Sequence, residues 1–595
     1  MKKVLLVLLS VLMVLTLAAC GQKTEETATT GDAGQVLAVC IASEPDTIDP
    51  ALNSAVDGAT LTAHLFQGLA KWAEVDGKLA IQADAAKELV APVENADGSV
   101  TYTYTLRDGL KWSDDQELKA SDFAFAWKRA ASEALGADYG YMYEVVQGYP
   151  NDLAVVADDA AKTISVTLPV DVAYWNELLA FPAYFPVRED VVANEGWATE
   201  PGTYVCNGPY YIAEWTHSSV LKLKKNDNYI DADKITMPEI DFYLSDDSNA
   251  MLANFQKGDW LMIDDVPTNE INALKSDPQF VVAGQIGTYY VCWNVNEDIL
   301  PNFKGSATEK EAAQAEVRKA LSLVFDRNHI VEDIAQGGQV PASSFVAMGM
   351  TDADGTEFYQ NAGPGGYTQS NDYYGYYNVA KEAFEGNCAQ CVETLKKYYT
   401  FDEATQQFTD FPTLTYLYNT SDAHKLIGEY LQAAFATYGI TMNLENQEWN
   451  TFLNTRKDGQ YSIARNGWVA DYNDPICFID MWTTASGNND IQFGKGAHAD
   501  LAMYNLDLTD LGYDTKVENG KWADTYDVLV KLIKTCKDPV TRMALMHRAE
   551  DMLMATGCVC PLYFYTDLYM ISSKVKGFYS NPLGYKYFMY TTIEG

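Results

Sequence analysis

Histidine and cysteine are the side chains best equipped for metal or nucleophilic chemistry, and this 595-residue chain holds six and ten of them. His64, His217, His329, His424, His498 and His547 are dispersed. No two stand at the spacing that sets imidazoles on one helix face, and no H-E-x-x-H occurs. Cys388-x-x-Cys391 stands without a second pair at metal-ligand spacing, which argues against zinc and leaves buried thiols or a local disulfide. The Gly-rich stretches Gly337-Gly338 and Gly363-Pro364-Gly365-Gly366 lack the Lys-Ser/Thr that closes a P-loop and lack the dinucleotide fingerprint. No G-x-S-x-G elbow is present. What remains is the chemistry of binding, so we expect no enzyme activity, no metal and no cofactor.

The charge balance narrows the partners. Forty-two basic side chains face 82 acidic ones, a formal net charge of −40, in a chain that is 48% hydrophobic and 12% aromatic. That apolar content supports packed cores, and the length suggests roughly two to four domains. Nucleic acid is excluded as a partner, because phosphates need a basic stripe. Electrostatic adhesion to an anionic membrane is excluded for the same reason.

Residues 1–20 read as a processing signal. Lys2 and Lys3 precede an apolar stretch, Val4–Leu17, too short for a comfortable membrane span. It ends in Leu17-Ala18-Ala19-Cys20, which resembles a bacterial lipobox with Cys20 as the lipidated first residue of the mature chain. An ordinary secretory signal cleaved near Ala19 is the alternative. Gly21–Gln35 is polar and aperiodic, a tether with a reach of about 20 Å. We therefore expect a leader at 1–19, a lipidated tether at 20–35, and a protein on the extracytoplasmic face, held to the membrane by lipid alone.

The elements that must position any site are mixed. Val36–Ile41, Thr101–Leu106, Thr163–Leu168 and Val220–Lys224 read as strands, and Asn207-Gly208-Pro209-Tyr210 as a turn entering a hairpin. Helical periodicity covers Ala59–Leu69, the segment after a Ser121 or Asp122 cap, Glu311–Val324, and Lys425–Tyr438 behind Thr420-Ser421-Asp422. Phe358–Tyr377 reads as a surface loop. The class is α/β with mixed sheets.

In this order the pieces resemble the extracytoplasmic solute-binding proteins of bacterial peptide ABC transporters, family 5, and most closely the oligopeptide-binding branch. The landmarks are Thr47-Ile48-Asp49-Pro50, Leu65-Phe66-Gln67-Gly68-Leu69, Ala120–Arg129, Asn207-Gly208-Pro209-Tyr210 and Val317-Arg318-Lys319-Ala320-Leu321. The strongest block runs from Asn446-Gln447-Glu448-Trp449 through Arg456 to Arg465-Asn466-Gly467-Trp468-Val469-Ala470-Asp471 and Pro475, with Tyr418-Asn419-Thr420 and His424 upstream. The resemblance implies that Asp471 holds a peptide α-ammonium, and that Arg465 and His424 serve carboxylates of peptides of different length. It implies Arg456 as a further basic neighbour and Trp449 and Trp468 as walls of side-chain pockets. Asn419, Gly467, Tyr139 and Tyr290 complete the implied site.

Each residue also has a structural reading. Asp471 suits a turn beside Pro475, His424 a first helical turn, Arg465 an ion pair, and the two tryptophans a core. Two departures from the pattern stand out. Cys292 replaces a ligand-facing acid, and Asp264-Asp265 replace two asparagines.

The resemblance implies a periplasmic-binding-protein type II-like fold, with two large lobes of mixed sheet joined by a hinge and a smaller extra domain. Domain I would comprise 36–66, 189–286 and 561–595, domain II 67–188, and domain III 287–560. It implies a monomer that captures oligopeptides and delivers them to ABC permease subunits. The alternatives are a dipeptide or another solute in the same fold, a peptide-sensing receptor, or an exported hydrolase.

Overall fold

Alternating and apolar runs bounded by turn residues become strands in the computed structural model, which describes residues 35–75, 78–362, 375–496 and 503–595. The leader, Cys20, the tether up to residue 34, His498 and part of the Phe358–Tyr377 segment lie outside the described residues. In chain order the strands of the two main sheets begin with β1 (Val36–Ala42), β2 (Val93–Glu94), β3 (Val100–Thr105), β4 (Val155–Asp158) and β5 (Thr163–Leu168). They continue with β6 (Tyr210–Thr216), β7 (Val220–Lys225), β8 (Glu239–Leu244), β9 (Met262–Ile263) and β10 (Phe280–Trp293). The last are β11 (Leu414–Asn419), β12 (Met442–Gln447), β13 (Ile463–Val469) and β14 (Val559–Ile571).

A four-stranded antiparallel sheet has the order β2-β3-β5-β4. The other sheet has 11 strands on a main path β12-β11-β13-β10-β14-β9-β1-β8-β7-β6, with Val340–Pro341 added against β14. It is mixed: β1 runs parallel to β8 and β9, and β11 runs parallel to β12 and β13, while β10 is antiparallel to both β13 and β14. The long strands β10 and β14 therefore join two halves of one sheet. Their ladder is interrupted between Gly284 and Thr288, where the Ile286 N–H instead donates to the Pro582 carbonyl at 2.9 Å. The Ile286 carbonyl accepts from the Ala470 N–H at 2.8 Å.

The helices that matter for the site are α1 (Val56–Leu65), α2 (Ala120–Ala131), α3 (Ala307–Leu321), α4 (Asp422–Thr437), α5 (Trp449–Lys457), α6 (Trp522–Thr535) and α7 (Pro539–Ala555). Several bounds differ from the sequence expectation. Helix α1 starts earlier than Ala59 and stops at Leu65, where Phe66 turns extended and the Leu65 carbonyl accepts instead from the Gly208 N–H at 2.8 Å. Asp122 lies inside α2, where its Oδ2 accepts from the Lys119 N–H at 2.9 Å and so satisfies the backbone at the N-cap. Helix α3 begins at Ala307 because Ser306 and Glu309 form a reciprocal capping box. Ser421 occupies the N-cap of α4, yet its side chain makes no capping bond.

Several landmark residues prove to be joints. Arg129 on α2 donates two bonds to Asp49, at 3.0 and 2.6 Å, tying the four-stranded region to the first loop after β1. Asn207 and Gln67 exchange side-chain-to-backbone bonds, each 3.0 Å. Around Trp127, Trp175 and Tyr184 the rings meet edge to face at 5.4–6.2 Å, the favoured geometry for aromatic packing. All nine described cysteines are free thiols, so Cys388 and Cys391 form no disulfide.

Candidate functional site

A cavity of about 420 Å³ lies where α1, the start of α4, helix α5, strand β13 and the Tyr139 segment converge. Asp471 follows the end of β13 and is only 9% exposed. Its Oδ1 accepts from the Tyr139 hydroxyl at 2.8 Å, while its Oδ2 is buried without a hydrogen-bond partner among the described residues. Burial holds the carboxyl well above the usual carboxylate range; the Tyr139 bond pulls it back, and nearby Asp480 pushes it further up. The turn role open to Asp471 in sequence belongs to Asp474. That side chain caps the Ile476 N–H at 3.1 Å and takes two bonds from Arg542, at 2.7 and 2.8 Å.

Arg465 projects from β13 into a tyrosine cluster, its guanidinium 5.4 Å from the Tyr289 ring centre. No carboxylate pairs with it among the described residues, and its Nε is buried without a partner. Burial works against its charge, yet a guanidinium stays protonated in proteins, so the site holds a buried cation. His424, in the first turn of α4, has its Nδ1 3.3 Å from the Tyr289 hydroxyl. Burial, with the Arg465 charge beside it, holds this imidazole well below its ordinary value, so it is neutral near pH 7.

The other expected residues divide. Arg456 lines the cavity, but its Nε lies 2.8 Å from Asp490 Oδ2 in an ion pair without hydrogen-bond alignment, and its guanidinium covers the Phe452 ring at 4.9 Å. Trp449 lines the cavity and stacks on Phe452 at 5.9 Å. Trp468 also lines it, fixed by a 2.9 Å bond from its Nε1 to the Cys477 carbonyl. Asn419 contributes a buried Oδ1 without a hydrogen-bond partner. Gly467 is required by close approach: a Cβ there would lie 2.1 Å from the Tyr565 hydroxyl.

Tyr290 is not part of the cavity lining. Alternation along β10 turns it away from Arg465, and its ring packs against Phe345 and Trp482 at 5.1 and 6.2 Å. Its neighbour Tyr289 is the tyrosine beside Arg465 and His424. Cys292 shares the Tyr290 face and is buried, with its thiol pushed up to about 11 by burial. Asp264 lines the cavity and pairs with buried Lys586 at 2.8 Å.

Sequence reasoning missed the contacts that join the 138–177 stretch to the 457–534 stretch. Lys457 on α5 reaches Asp138 Oδ2 at 2.5 Å and Ser54 Oγ at 2.9 Å. Lys534 on α6 sits between Glu144, at 2.8 Å, and Asp480, at 3.0 Å. The Asn473 N–H donates to Glu177 at 2.6 Å, and Tyr472 stacks on Tyr174 at 4.6 Å. Together with Tyr139–Asp471, these contacts bring 138–177 against 457–534. The partners that cross between the two stretches are some three to four hundred residues apart, and nothing in the local sequence signals them.

Residues 80–490 match the family model described as bacterial extracellular solute-binding proteins, family 5 Middle. The chain is 30% identical over 611 aligned positions to the oligopeptide-binding protein OppA of Bacillus subtilis, covering 98% of each chain. It superposes on the murein tripeptide binding protein MppA of Escherichia coli with a TM-score of 0.75 at 25% identity, covering 94% of this chain and 99% of that one. Against the unliganded open form of MppA the TM-score is 0.56, at 24% identity, with 94% and 98% covered. The fold is thus the mixed α/β, type II periplasmic-binding-protein architecture, in an arrangement nearer the first MppA structure than its open form. The chain belongs to the bacterial extracellular solute-binding proteins of family 5.

Proposed function

We propose that this family 5 protein binds oligopeptides with free termini and hands them to an ABC permease from a lipid-anchored position outside the cell membrane. One observation carries the reading. A buried carboxylate with an unsatisfied oxygen, Asp471, shares a cavity with a buried guanidinium that has no carboxylate partner among the described residues, Arg465. Buried charges are costly unless paired, so the two together ask for a ligand carrying a cation and an anion at separate points. A peptide zwitterion is such a ligand, with its ammonium on Asp471 and its carboxylate toward Arg465 and the neutral His424. Trp449 and Trp468 offer aromatic area to side chains of varied shape.

The cavity volume falls within the roughly 300–1,000 Å³ of small-ligand pockets and suits a short peptide. In this reading the chain is a monomer with the three domains 36–66 + 189–286 + 561–595, 67–188 and 287–560. The contacts of Lys457, Lys534 and Tyr139 then hold domain II closed on domain III, and ligand selects that closed state. No chemical step is required of this chain. Cys20 carries the lipid, and Cys20→Ala should release the protein from membranes.

The test is mass spectrometry of ligand released by denaturing the purified protein, followed by calorimetry with tri-alanine. The expected results are a mixture of short peptides and binding that N-acetylation abolishes. Absence of peptides, together with no tri-alanine binding, would overturn the proposal.

A further inference from the structure

Behind Asp471 the 138–177 stretch meets the 457–534 stretch over a second group of charges. Lys534 on α6 is buried with Asp480 at 3.0 Å and Glu144 at 2.8 Å, and its ammonium lies 5.5 Å from the Tyr141 ring. Asp480 shares the 457–534 stretch with Lys534, while Glu144 and Tyr141 come from the other side. One ammonium thus serves two carboxylates. Asp480 is 2% exposed, and its Oδ1 has no hydrogen-bond partner among the described residues.

The surroundings add acids rather than cations. Asp471, Cys477 and Asp474 face Asp480 from its own stretch, and the charge of Asp474 is already met by Arg542. Asp527 on α6 and Tyr149 face Glu144, and Glu177 faces Asp474. Tyr472 and Tyr526 approach Asp480 from its own side, and Tyr141, Tyr174 and Tyr184 from across the interface. None of these brings a positive charge. Burial pushes the Asp480 carboxyl up to about 6; Lys534 pulls it down, and Glu144 and Asp474 push it further up. A buried carboxylate without a full counter-charge is relieved by a proton.

We propose that peptide capture is coupled to proton uptake at the Asp480–Lys534–Glu144 group. This rests on the peptide reading above and on its closure step. In the open arrangement Glu144 is withdrawn, water reaches Asp480, and Lys534 neutralises it alone. Closure brings up the second carboxylate, and the proton follows. The closed state holds this proton more tightly than the open one, so closure gains as pH falls through about 6 and loses that gain above it. The ligand ammonium goes to Asp471 and leaves the shared Lys534 as it was.

The test uses the mature chain and calorimetry of tri-alanine binding at pH 6 in buffers of different ionisation enthalpy, which counts the protons taken up per peptide bound. Wild type should take up about half a proton more than Asp480→Asn, with Glu144→Gln in between, and all three should agree at pH 8. His424 and the peptide termini titrate alike in the three proteins, so the difference reports this group alone. Equal counts in wild type and Asp480→Asn at pH 6 would overturn the coupling while leaving peptide binding intact. If Asp480→Asn does not fold, a Glu144→Gln count equal to that of wild type overturns it instead. Failure of tri-alanine to bind the wild type would remove the peptide reading and the coupling together.

Discussion

Replacing Asp471 by asparagine should close the ligand-free protein. The substitution removes the charge but keeps an oxygen at the Oδ1 position to accept the Tyr139 hydroxyl, now 2.8 Å away. In the wild type, bringing Tyr139 over Asp471 buries a carboxylate whose second oxygen has no described partner. The effective penalty for burying an ion is several kcal/mol, and one hydrogen bond to a charged group returns about 1.5–3. A residual cost of about 2 kcal/mol opposes closure, so removing it shifts the closed-to-open ratio roughly 30-fold. The ligand ammonium relieves the same cost in the wild type, which is how occupancy would drive closure. Small-angle scattering should show ligand-free Asp471→Asn with a smaller radius of gyration than ligand-free wild type. Adding tri-alanine should contract the wild type and change the variant little. Calorimetry should show that affinity for free-amine peptides falls by about 3–5 kcal/mol, roughly 10²- to 10⁴-fold, because the ammonium loses the counter-charge proposed to receive it. Superimposable scattering of the two ligand-free proteins would refute the closure argument, and unchanged peptide affinity would refute the role of Asp471 altogether.

Arg465→Gln should weaken peptides with a free carboxylate by about 1.5–3 kcal/mol and leave C-terminal amides nearly unaffected; equal losses for both would remove Arg465 from the carboxylate end. Lys457→Met breaks the bridge to Asp138 and Ser54, and should speed peptide release about fivefold in stopped-flow, or roughly 1 kcal/mol, without lowering the melting temperature of the ligand-free protein. Glu550, fully buried on α7, accepts the Phe345 and Val346 N–H groups at 2.9 and 2.8 Å, and burial pushes its carboxyl up to about 7. The folded chain therefore holds this proton more tightly than the unfolded one, so its contribution is most favourable below pH 4.5 and is lost as pH rises through about 7. Urea denaturation of Glu550→Gln should match the wild type near pH 5 and exceed it by up to about 3 kcal/mol at pH 8; a pH-independent difference would contradict that linkage.

Local patterns were legible where one face of an element meets one environment. Thr163–Leu168 alternates in sequence and is strand β5 without adjustment, because each inward residue packs and each outward one does not. Helix ends were harder: Ser306 with Glu309 moves α3 four residues earlier, and the distant Gly208 N–H takes the Leu65 carbonyl where α1 stops. The block around Asp471 could be found in sequence because β13 and α5 carry Arg465, Trp468, Trp449 and Arg456 within one short stretch. Tyr290, expected at the site, is off the cavity wall, while Tyr289 stands beside Arg465 and His424; one residue along a strand is a change of face. The pairs Lys457–Asp138 and Lys534–Glu144 had no local sign, since each half is an ordinary charged residue until the fold brings the other near.

The paired strands β10 and β14 give the molecule a mechanical character of its own. A two-stranded ribbon resists stretching and shear, yet it twists readily where its ladder is broken. That break falls at 285–287, and the Ile286 carbonyl there holds the N–H of Ala470, the residue covalently bonded to Asp471. Any torsion at that break would reach, through one hydrogen bond and one peptide unit, the carboxylate proposed to receive the ligand's ammonium.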